Sequence, residues 1–324
     1  MNSINAQCNP PKKSLPVQHI LKYASVILLV LMIVFNGIFT KNFFGINTFW
    51  NLLIHSSAII LVGLSMTFVI SSGGIDISVG STMAIAGMLT VKLLPLAGAV
   101  PAVICAVIAG CLFGLFNGAV ISLFRIQPII VTLATMMAGR GIAQIIGDGY
   151  ILPFQDDFLS SLGILRIGGV VPIQVIYIIV AVLIFYLISK YTVFSRRIEA
   201  IGDNKTAAWL AGVNIESNTI FVYGLNGLMC ALAGIMIIAR ANAADPDTIG
   251  KSFELNAIAA VAIGGTPMSG GKARIFGTVL GAVILQLITI TINMNGISYD
   301  WSLIFQTVVI ILFVFIQNVT QKAV

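Results

Sequence analysis

Charged side chains are scarce in this 324-residue chain, in which Asp, Glu, Lys and Arg together make up only 9%. Soluble domains carry about 25% charged residues, whereas 58% of this sequence is hydrophobic and its mean hydropathy is +1.05. The scarcity of charge excludes a soluble globular fold. The apolar runs leave too little polar sequence for a second, soluble module, so we predict a single, all-α, polytopic membrane domain.

Cysteine and histidine are also rare. The four cysteines have no Cys-x-x-Cys spacing, and three lie in apolar segments, where a thiol behaves as a small hydrophobic side chain. The two histidines, His19 and His55, stand too far apart to build a metal site. No basic stripe with stacking aromatics indicates nucleic-acid binding. We therefore expect no catalytic, cofactor-binding or metal-binding residues and no nucleic-acid partner.

Windows of about 20 apolar residues predict ten membrane-spanning helices. They lie near residues 20–40, 52–70, 79–96, 100–124, 129–147, 172–189, 217–239, 256–270, 275–294 and 301–318. The third and the eighth are short or interrupted by glycine, so each is a candidate for a broken or re-entrant helix. The count is then eight to ten. The spans form one transmembrane domain over residues 20–318, flanked by tails at 1–19 and 319–324.

Positive charge predicts the orientation, because Lys and Arg accumulate in short cytoplasmic loops. With both termini in the cytoplasm, the cations that fall inside are Lys12, Lys13, Lys22, Arg125, Lys190, Arg196, Arg197, Lys205, Lys272, Arg274 and Lys322. Those outside are Lys41, Lys92, Arg166, Arg240 and Lys251, and most acids are also outside. If the number of early spans changed by one, most Lys and Arg residues would fall outside instead of inside. We therefore predict that both tails lie in the cytoplasm.

A glycine-rich break interrupts two apolar runs at residues 71–80, which read Ser-Ser-Gly-Gly-Ile-Asp-Ile-Ser-Val-Gly. Hydrocarbon offers no partner to free N–H and C=O groups, so this break must face protein or a water-filled cavity. A similar pattern, Gly264-Gly265 followed by Ser269, Gly270 and Gly271, ends the eighth predicted span. Paired interrupted segments in two halves of a transporter indicate its central site. Close packing is the alternative reading of such glycines.

Two ionisable residues are predicted inside the membrane. Asp76 lies in the break, and a charge at that depth is tolerated mainly where it faces a cavity or a partner. We expect it to bind backbone N–H groups in preference to substrate. Arg140 is expected to reach the outer interface or to pair with an acid. Further polar residues of the fourth and fifth predicted spans either line a hydroxyl-compatible path or bond across helices; they are Asn117, Gln127, Thr132 and Thr135.

Two long loops are predicted docking faces. The first, 148–171, falls outside and mixes prolines, acids and aromatics, which suits a soluble partner. The second, 190–216, falls inside, where Asp203 or Asn204 can cap a short helix over residues 206–211 that Gly212 ends. Such a helix suits the groove of an ATPase and offers Ala207, Ala208, Leu210 and Ala211. A simple stop-transfer loop would explain the arginines but not the capped helix.

Four segments then occur in a familiar order: Gly73–Gly80, Ile126–Gly141, Ala200–Val213 and Ala259–Gly271. Over residues 20–318 the chain resembles the bacterial monosaccharide ABC importer permeases of the ribose, xylose, galactofuranose and autoinducer-2 type. The resemblance implies an inner-membrane subunit that pairs with itself or a close relative. It also implies two ABC ATPase domains, often fused in tandem, and a periplasmic sugar-binding protein.

The resemblance extends to single residues. It implies coupling to the ATPase for Glu199, Ala200, Gly202, Asp203, Asn204, Ala207, Ala208, Ala211 and Gly212. Together with the polar residues above, it points to a translocation path at Gly73, Gly74, Asp76, Ser78, Gly80, Asn117, Gln127, Thr132, Gly264 and Gly265. Which sugar is carried, and whether the two permease copies are identical, stay open.

Two other functional classes are weighed against a permease. An ion-coupled secondary carrier of a small neutral solute needs several intramembrane acids, and the sequence offers essentially Asp76. A membrane-embedded enzyme needs convergent reactive groups, and none converge here. The stretch 266–273 resembles a phosphate loop, but Thr266 replaces its first glycine and Ala273 its final hydroxyl residue. We therefore expect no enzymatic activity in this chain and ATP hydrolysis in a partner.

Overall fold

The computed structural model describes residues 24–322, which are helical almost throughout. The helices are α1 (Ala24–Phe39), α2 (Ile46–Ser71), α3 (Val79–Ala97), α4 (Ala99–Leu123), α5 (Pro128–Gly147), α6 (Asp157–Ile164), α7 (Ile173–Tyr191), α8 (Val193–Asp203), α9 (Lys205–Leu210), α10 (Ile215–Ala241), α11 (Phe253–Ile263), α12 (Ile275–Met294) and α13 (Tyr299–Lys322). Two-residue strands β1 (Leu152–Pro153) and β4 (Ala243–Ala244) pair antiparallel, as do β2 (Arg166–Ile167) and β3 (Val171–Pro172).

Seven of the helices in residues 24–322 are long and apolar enough to cross a membrane, namely α2, α3, α4, α5, α7, α10 and α12. The prediction of a polytopic helical membrane protein is confirmed. Helices α1 and α13 correspond to the first and last predicted spans. The predicted tail 1–19 lies outside the described residues, and α13 continues through the first four residues of the predicted tail 319–324.

For the eighth predicted span, 256–270, the structure has the short, interrupted helix and not the full crossing. Helix α11 has 11 residues, which at 1.5 Å per residue reach only about 16 Å of a hydrocarbon core of about 30 Å. The helix ends at Gly264, and Gly265 adopts φ +84°, which turns the chain. Mean hydropathy over a window cannot locate the end of α11, because apolar residues stand on both sides of the loop that follows it.

Helix α10 is the centre of the bundle and packs against α4 through glycines. A Cβ on Gly114 would overlap the backbone of Tyr223, and a Cβ on Gly227 would overlap that of Gly110. Small residues of this kind let two membrane helices approach until their backbones touch. Helices α2, α3 and α10 are therefore largely buried, whereas α4, α5 and α7 present apolar side chains to the outside.

Two irregular segments enter the bundle from opposite ends. The first break, residues 72–78, follows α2, whose last residue, Ser71, lies beside the 190–216 loop. The second break, residues 245–252, follows α10, which starts at that loop and runs away from it. The breaks meet inside the bundle, where a Cβ on Gly80 would overlap the carbonyl oxygen of Gly250. Helices α3 and α11 thus both begin within the protein.

Candidate functional site

Asp76 is the centre of a hydrogen-bond network that holds the first break. Its carboxylate is 2% exposed, and Oδ1 accepts from the Ser78 backbone N–H at 2.9 Å and from the Ser78 hydroxyl at 2.6 Å. Its Oδ2 accepts from Nδ2 of Asn226 at 2.8 Å. All three donors are uncharged. The carboxylate therefore closes the turn at Ser78 just before α3 and binds α10, and the bond to a backbone N–H is the kind of contact that the sequence predicts for it.

Asn226 and Ser78 extend this network to two more helices. The Ser65 hydroxyl of α2 donates to Asn226 Oδ1 at 2.8 Å, and Asn117 of α4 donates to the Ser78 hydroxyl at 2.8 Å. Four elements thus meet at one buried acid. Asn226 and Ser65 were not predicted as site residues; the signal that could have found Asn226 is an amide within the otherwise apolar run 217–239.

The carbonyl of Ile75 is a second anchor of the first break. The Tyr223 hydroxyl donates to it at 3.3 Å, and the Thr132 hydroxyl lies 3.4 Å away while also donating to Pro128 O at 2.9 Å. Gly74 packs so closely on the Tyr223 hydroxyl that a Cβ would lie 2.6 Å from it. Partners of this kind replace the water that a broken helix lacks at membrane depth.

The predicted capped helix in the 190–216 loop is confirmed as α9. The Ala207 N–H donates to Asn204 Oδ1 at 3.0 Å, so Asn204 is the cap, and Gly212 leaves the helix with φ +81°. Glycine carries no Cβ and adopts this left-handed conformation without strain. Asp203 is not the cap; its Oδ1 lies against Gly271.

The exposed tip of α9 differs from the predicted docking face. Ala208 is buried at 3% exposure, so it faces the protein, whereas Ala207 and Ala211 are exposed. Trp209 is 66% exposed and Leu210 is 74% exposed. The tip is therefore dominated by two large apolar side chains, of which Trp209 was missing from the predicted set.

Helix α8 packs directly on the end of α2. A Cβ on Gly202 would overlap the carbonyl oxygen of Ser71, which accepts from the Gly271 N–H at 2.9 Å. The Glu199 carboxylate accepts from the Ala273 N–H at 3.0 Å, and Ala200 is partly buried beside it. We call these contacts the coupling clamp. The clamp lies one residue before the first break.

Gly264 and Gly265 lie on the clamp side of the bundle. Gly264 packs on the backbone of Gly277 at the start of α12, and a Cβ on Gly265 would lie 3.1 Å from the Arg274 guanidinium. The segment 264–271 thus packs against α8 and α12. It also borders the start of the first break, because the Gly271 N–H donates to the Ser71 carbonyl and a Cβ on Gly73 would lie 3.9 Å from the Ser269 carbonyl oxygen. Both glycine patterns therefore lie on the clamp side, and a shared role in the path stays a prediction.

An open cleft of about 1000 Å³ separates the first break from α9. It brings predicted path residues Gly73, Gly74 and Gln127 together with the predicted coupling residue Gly212. Its other polar lining residues include Ser72, Arg125, Lys205, Thr206, Asn214, Glu216, Thr219 and Tyr223. Asp76, Ser78 and Asn117 are buried behind this cleft. The cleft is large enough for a small polar solute and is lined by hydroxyl, amide and charged groups.

The chain was compared with known proteins. Residues 48–314 match the profile of a family described as branched-chain amino acid transport system permease components. The chain belongs to this permease family. The ribose import permease of Haemophilus influenzae is 34% identical over 92% of this chain and 94% of its own length. The galactofuranose transporter permease of Escherichia coli is 36% identical over 83% and 79%, and the fructose import permease of Bifidobacterium longum is 32% identical over 95% and 94%. No solved structure matches.

The opposite end of this permease is closed by short elements. Helix α6 starts at an Asp156 cap, whose Oδ1 accepts from the Leu159 N–H at 2.7 Å, and Gly163 of α6 packs on the backbone of Ala239. The β1–β4 pair joins the two segments that follow α5 and α10. The permease thus presents a folded surface, containing Asp156 and the exposed Asp157, where the sequence predicts the 148–171 docking face.

Proposed function

We propose that this permease is the membrane-spanning subunit of a bacterial inner-membrane ABC importer for a monosaccharide or a similar polyol-like solute. Its relatives are named as permeases for ribose, galactofuranose, D-allose and fructose, and the cleft beside the first break carries groups that bind hydroxyls. The observation that carries the proposal is the coupling clamp. It joins the segment predicted to meet an ATPase to the helix end from which the break departs.

The ATPase is proposed to grip α9 by its exposed tip. Trp209 and Leu210 offer the large apolar side chains that anchor protein interfaces, and the Asn204 cap and Gly212 hold the helix in place. When ATP binding closes the ATPase, α9 and α8 move together because a single residue separates them. Helix α8 then displaces Ser71 through the Gly202 contact. The first break and the wall of the cleft shift with it.

Three further partners complete the proposed importer. A periplasmic sugar-binding protein is proposed to sit on the α6 surface and deliver solute, and a second permease copy, identical or closely related, completes the channel. Membrane lipid surrounds the exposed apolar faces. The ATPase is proposed as two domains, in separate or fused chains, that hydrolyse ATP for the importer.

Reconstitution tests this proposal. The permease is purified from native membranes together with its bound partners, the ATPase and binding protein are identified, and the complex is placed in liposomes. We expect uptake of radiolabelled D-ribose, D-allose or D-fructose that requires ATP on the α9 side and the binding protein on the other. L-leucine is the matched control, since the family description names amino acids. Uptake of leucine alone, or sugar uptake by the permease without ATPase, would contradict the proposal.

A further inference from the structure

The two breaks meet at one crowded point deep in the bundle. Gly80, the second residue of α3, touches Gly250 so closely that a Cβ on either residue would overlap the other's carbonyl oxygen or Cα. Irregular backbone at this depth leaves N–H and C=O groups that hydrocarbon cannot satisfy. The first break finds its partners in the Asp76 network. The second break requires partners of its own.

Arg140 supplies those partners. It lies about 18 Å along α5 from the first residue of that helix, by a rise of 1.5 Å per residue. Its Nη1 donates to the carbonyl of Ile249 at 2.6 Å and to that of Pro246 at 3.2 Å. One turn further along α5, Gln144 donates to the Asp247 carboxylate. Helix α5 thus holds the second break by one guanidinium and one amide.

Glu254 faces the same guanidinium from the first turn of α11. The point that a Cβ on Gly80 would occupy lies 2.7 Å from Glu254 Oε2 and 3.0 Å from Arg140 Nη2, so the two opposite charges approach each other across Gly80. In residues 24–322, Glu254 Oε2 is buried and has no hydrogen-bond partner. A buried carboxylate oxygen is costly unless a positive charge compensates it. Arg140 and Glu254 form no ion pair within 4 Å, but the guanidinium faces the carboxylate and attracts it at longer range.

We propose that Arg140 is a positioning residue for transport, which holds the second break against the start of α3 with Glu254 as its counter-charge. The inference rests on the proposed importer function and adds a contact that stays fixed while the coupling clamp moves. The coupling clamp displaces α2 and the first break, while Arg140 keeps the second break in place. Without Arg140 the two breaks separate, and ATP hydrolysis no longer drives solute through the channel.

The test uses the complete importer in liposomes, with its ATPase and binding protein, and the radiolabelled sugar that the unmodified complex accumulates. Four variants are compared: Arg140→Lys, Arg140→Gln, Glu254→Gln and the double variant Arg140→Gln/Glu254→Gln. Lys41→Gln is the control, because Lys41 is an exposed cation between α1 and α2, away from both breaks and both proposed docking faces. Assembly, basal ATP hydrolysis and sugar molecules imported per ATP are measured for each.

Arg140→Gln should lower the sugar imported per ATP by about tenfold or more, because it leaves Glu254 buried without compensation. Its basal ATP hydrolysis should stay within about twofold of wild type, as should all properties of the Lys41 control. The sugar imported per ATP by Arg140→Lys should lie between the wild-type and Arg140→Gln values. A compact ammonium keeps the charge that faces Glu254 but lacks the planar guanidinium that binds the carbonyls of Pro246 and Ile249. The double variant should import more per ATP than Arg140→Gln alone.

Three results would overturn the inference. The first is an Arg140→Gln variant that imports as much sugar per ATP as the wild type. The second is a double variant whose loss of sugar imported per ATP equals the product of the losses in Arg140→Gln and Glu254→Gln. The third applies if Arg140→Gln does not assemble. If the double variant also does not assemble, Arg140 serves folding alone. A double variant that assembles but hydrolyses ATP without importing sugar supports the positioning role. Failure of the unmodified complex to import sugar would instead contradict the proposed function.

Discussion

The two breaks of this permease are tied to neighbouring helices by side chains of opposite charge. In the first break the Asp76 carboxylate accepts from the Ser78 N–H and from Asn226 of α10. In the second break the Asp245 carboxylate accepts from the Asp247 N–H, and the tie to α5 is the Arg140 guanidinium, which donates to two carbonyls. The first is tied to the coupling clamp through Ser71, and the second is not. An acid within a membrane segment can therefore be a structural partner of the backbone, without any proton or ion to carry.

The largest effect should come from a substitution that forces the two breaks apart. Gly80→Ala puts a Cβ into the backbone of Gly250 and against Glu254, so both breaks must move. We expect a destabilisation of about 3 kcal/mol or more, the upper end for overpacked sites, with uptake abolished. Thermal unfolding in detergent and sugar uptake measure this. Gly141→Ala is the control, because a Cβ on Gly141 meets nothing within 4 Å; an equal loss in both variants would contradict the assignment.

The next comparison removes the exposed tip of α9 and leaves the coupling clamp and both breaks unchanged. Trp209→Ala/Leu210→Ala removes the exposed tip of α9, and two interface anchors of this kind contribute about 2 kcal/mol or more each. The ATPase should no longer co-purify, while the thermal stability of the permease alone stays unchanged. Leu183→Ala is the control, because Leu183 is similarly exposed on α7, away from α9. Normal ATPase binding by the double variant would place the ATPase elsewhere.

A charge exchange sharpens the account of the first break. Asp76→Asn turns an accepting oxygen toward Asn226 into a second donor, which should cost about 1–3 kcal/mol of stability. Asp76→Asn/Asn226→Asp restores one carboxylate to the pair and should recover much of that loss. The measurement is thermal unfolding, with sugar uptake alongside. A changed sugar preference at normal stability would show that Asp76 contacts the solute.

The smallest effect should come from the cap of α9. Asn204→Ala removes the acceptor for the Ala207 N–H and should cost about 1 kcal/mol of local stability. Asn204→Ser keeps a capping hydroxyl and should behave nearly as wild type. The readout is the affinity of the ATPase for the reconstituted permease. If alanine and serine variants bind equally well, the cap is unimportant for docking.

Most of the fold could be predicted because hydropathy is a local property. The helix bounds fall within a few residues of most predicted spans, and α9 follows from Asn204 and Gly212 alone. The eighth predicted span is the short, interrupted helix that its glycines allowed, because Gly264 and Gly265 end it inside an apolar window. Depth in the bundle cannot be seen in the sequence, so the glycine pattern at 73–80 does not reveal that Gly80 meets Gly250 of a different segment.

The site was predictable only where its contacts are short-range. Asp76 and Ser78 are two residues apart, and a cap at the break was expected. Asn226 is separated from Asp76 by 150 residues, and the carbonyls bound by Arg140 are more than 100 residues away from it. Partners at such separations depend on which helices become neighbours. Spacing along the chain carries no information about them.

The bond from the Gly271 N–H to the Ser71 carbonyl has a consequence for the length of α2. In a continuing α-helix that carbonyl would accept from the residue four positions on, in the middle of the first break. The chain instead turns at Gly73, where φ is +79°, and the Ser71 carbonyl is left to the Gly271 N–H. The residue that closes α2 is thus also the residue by which the segment 264–271 is attached to it, so the two cannot move independently while that bond is intact.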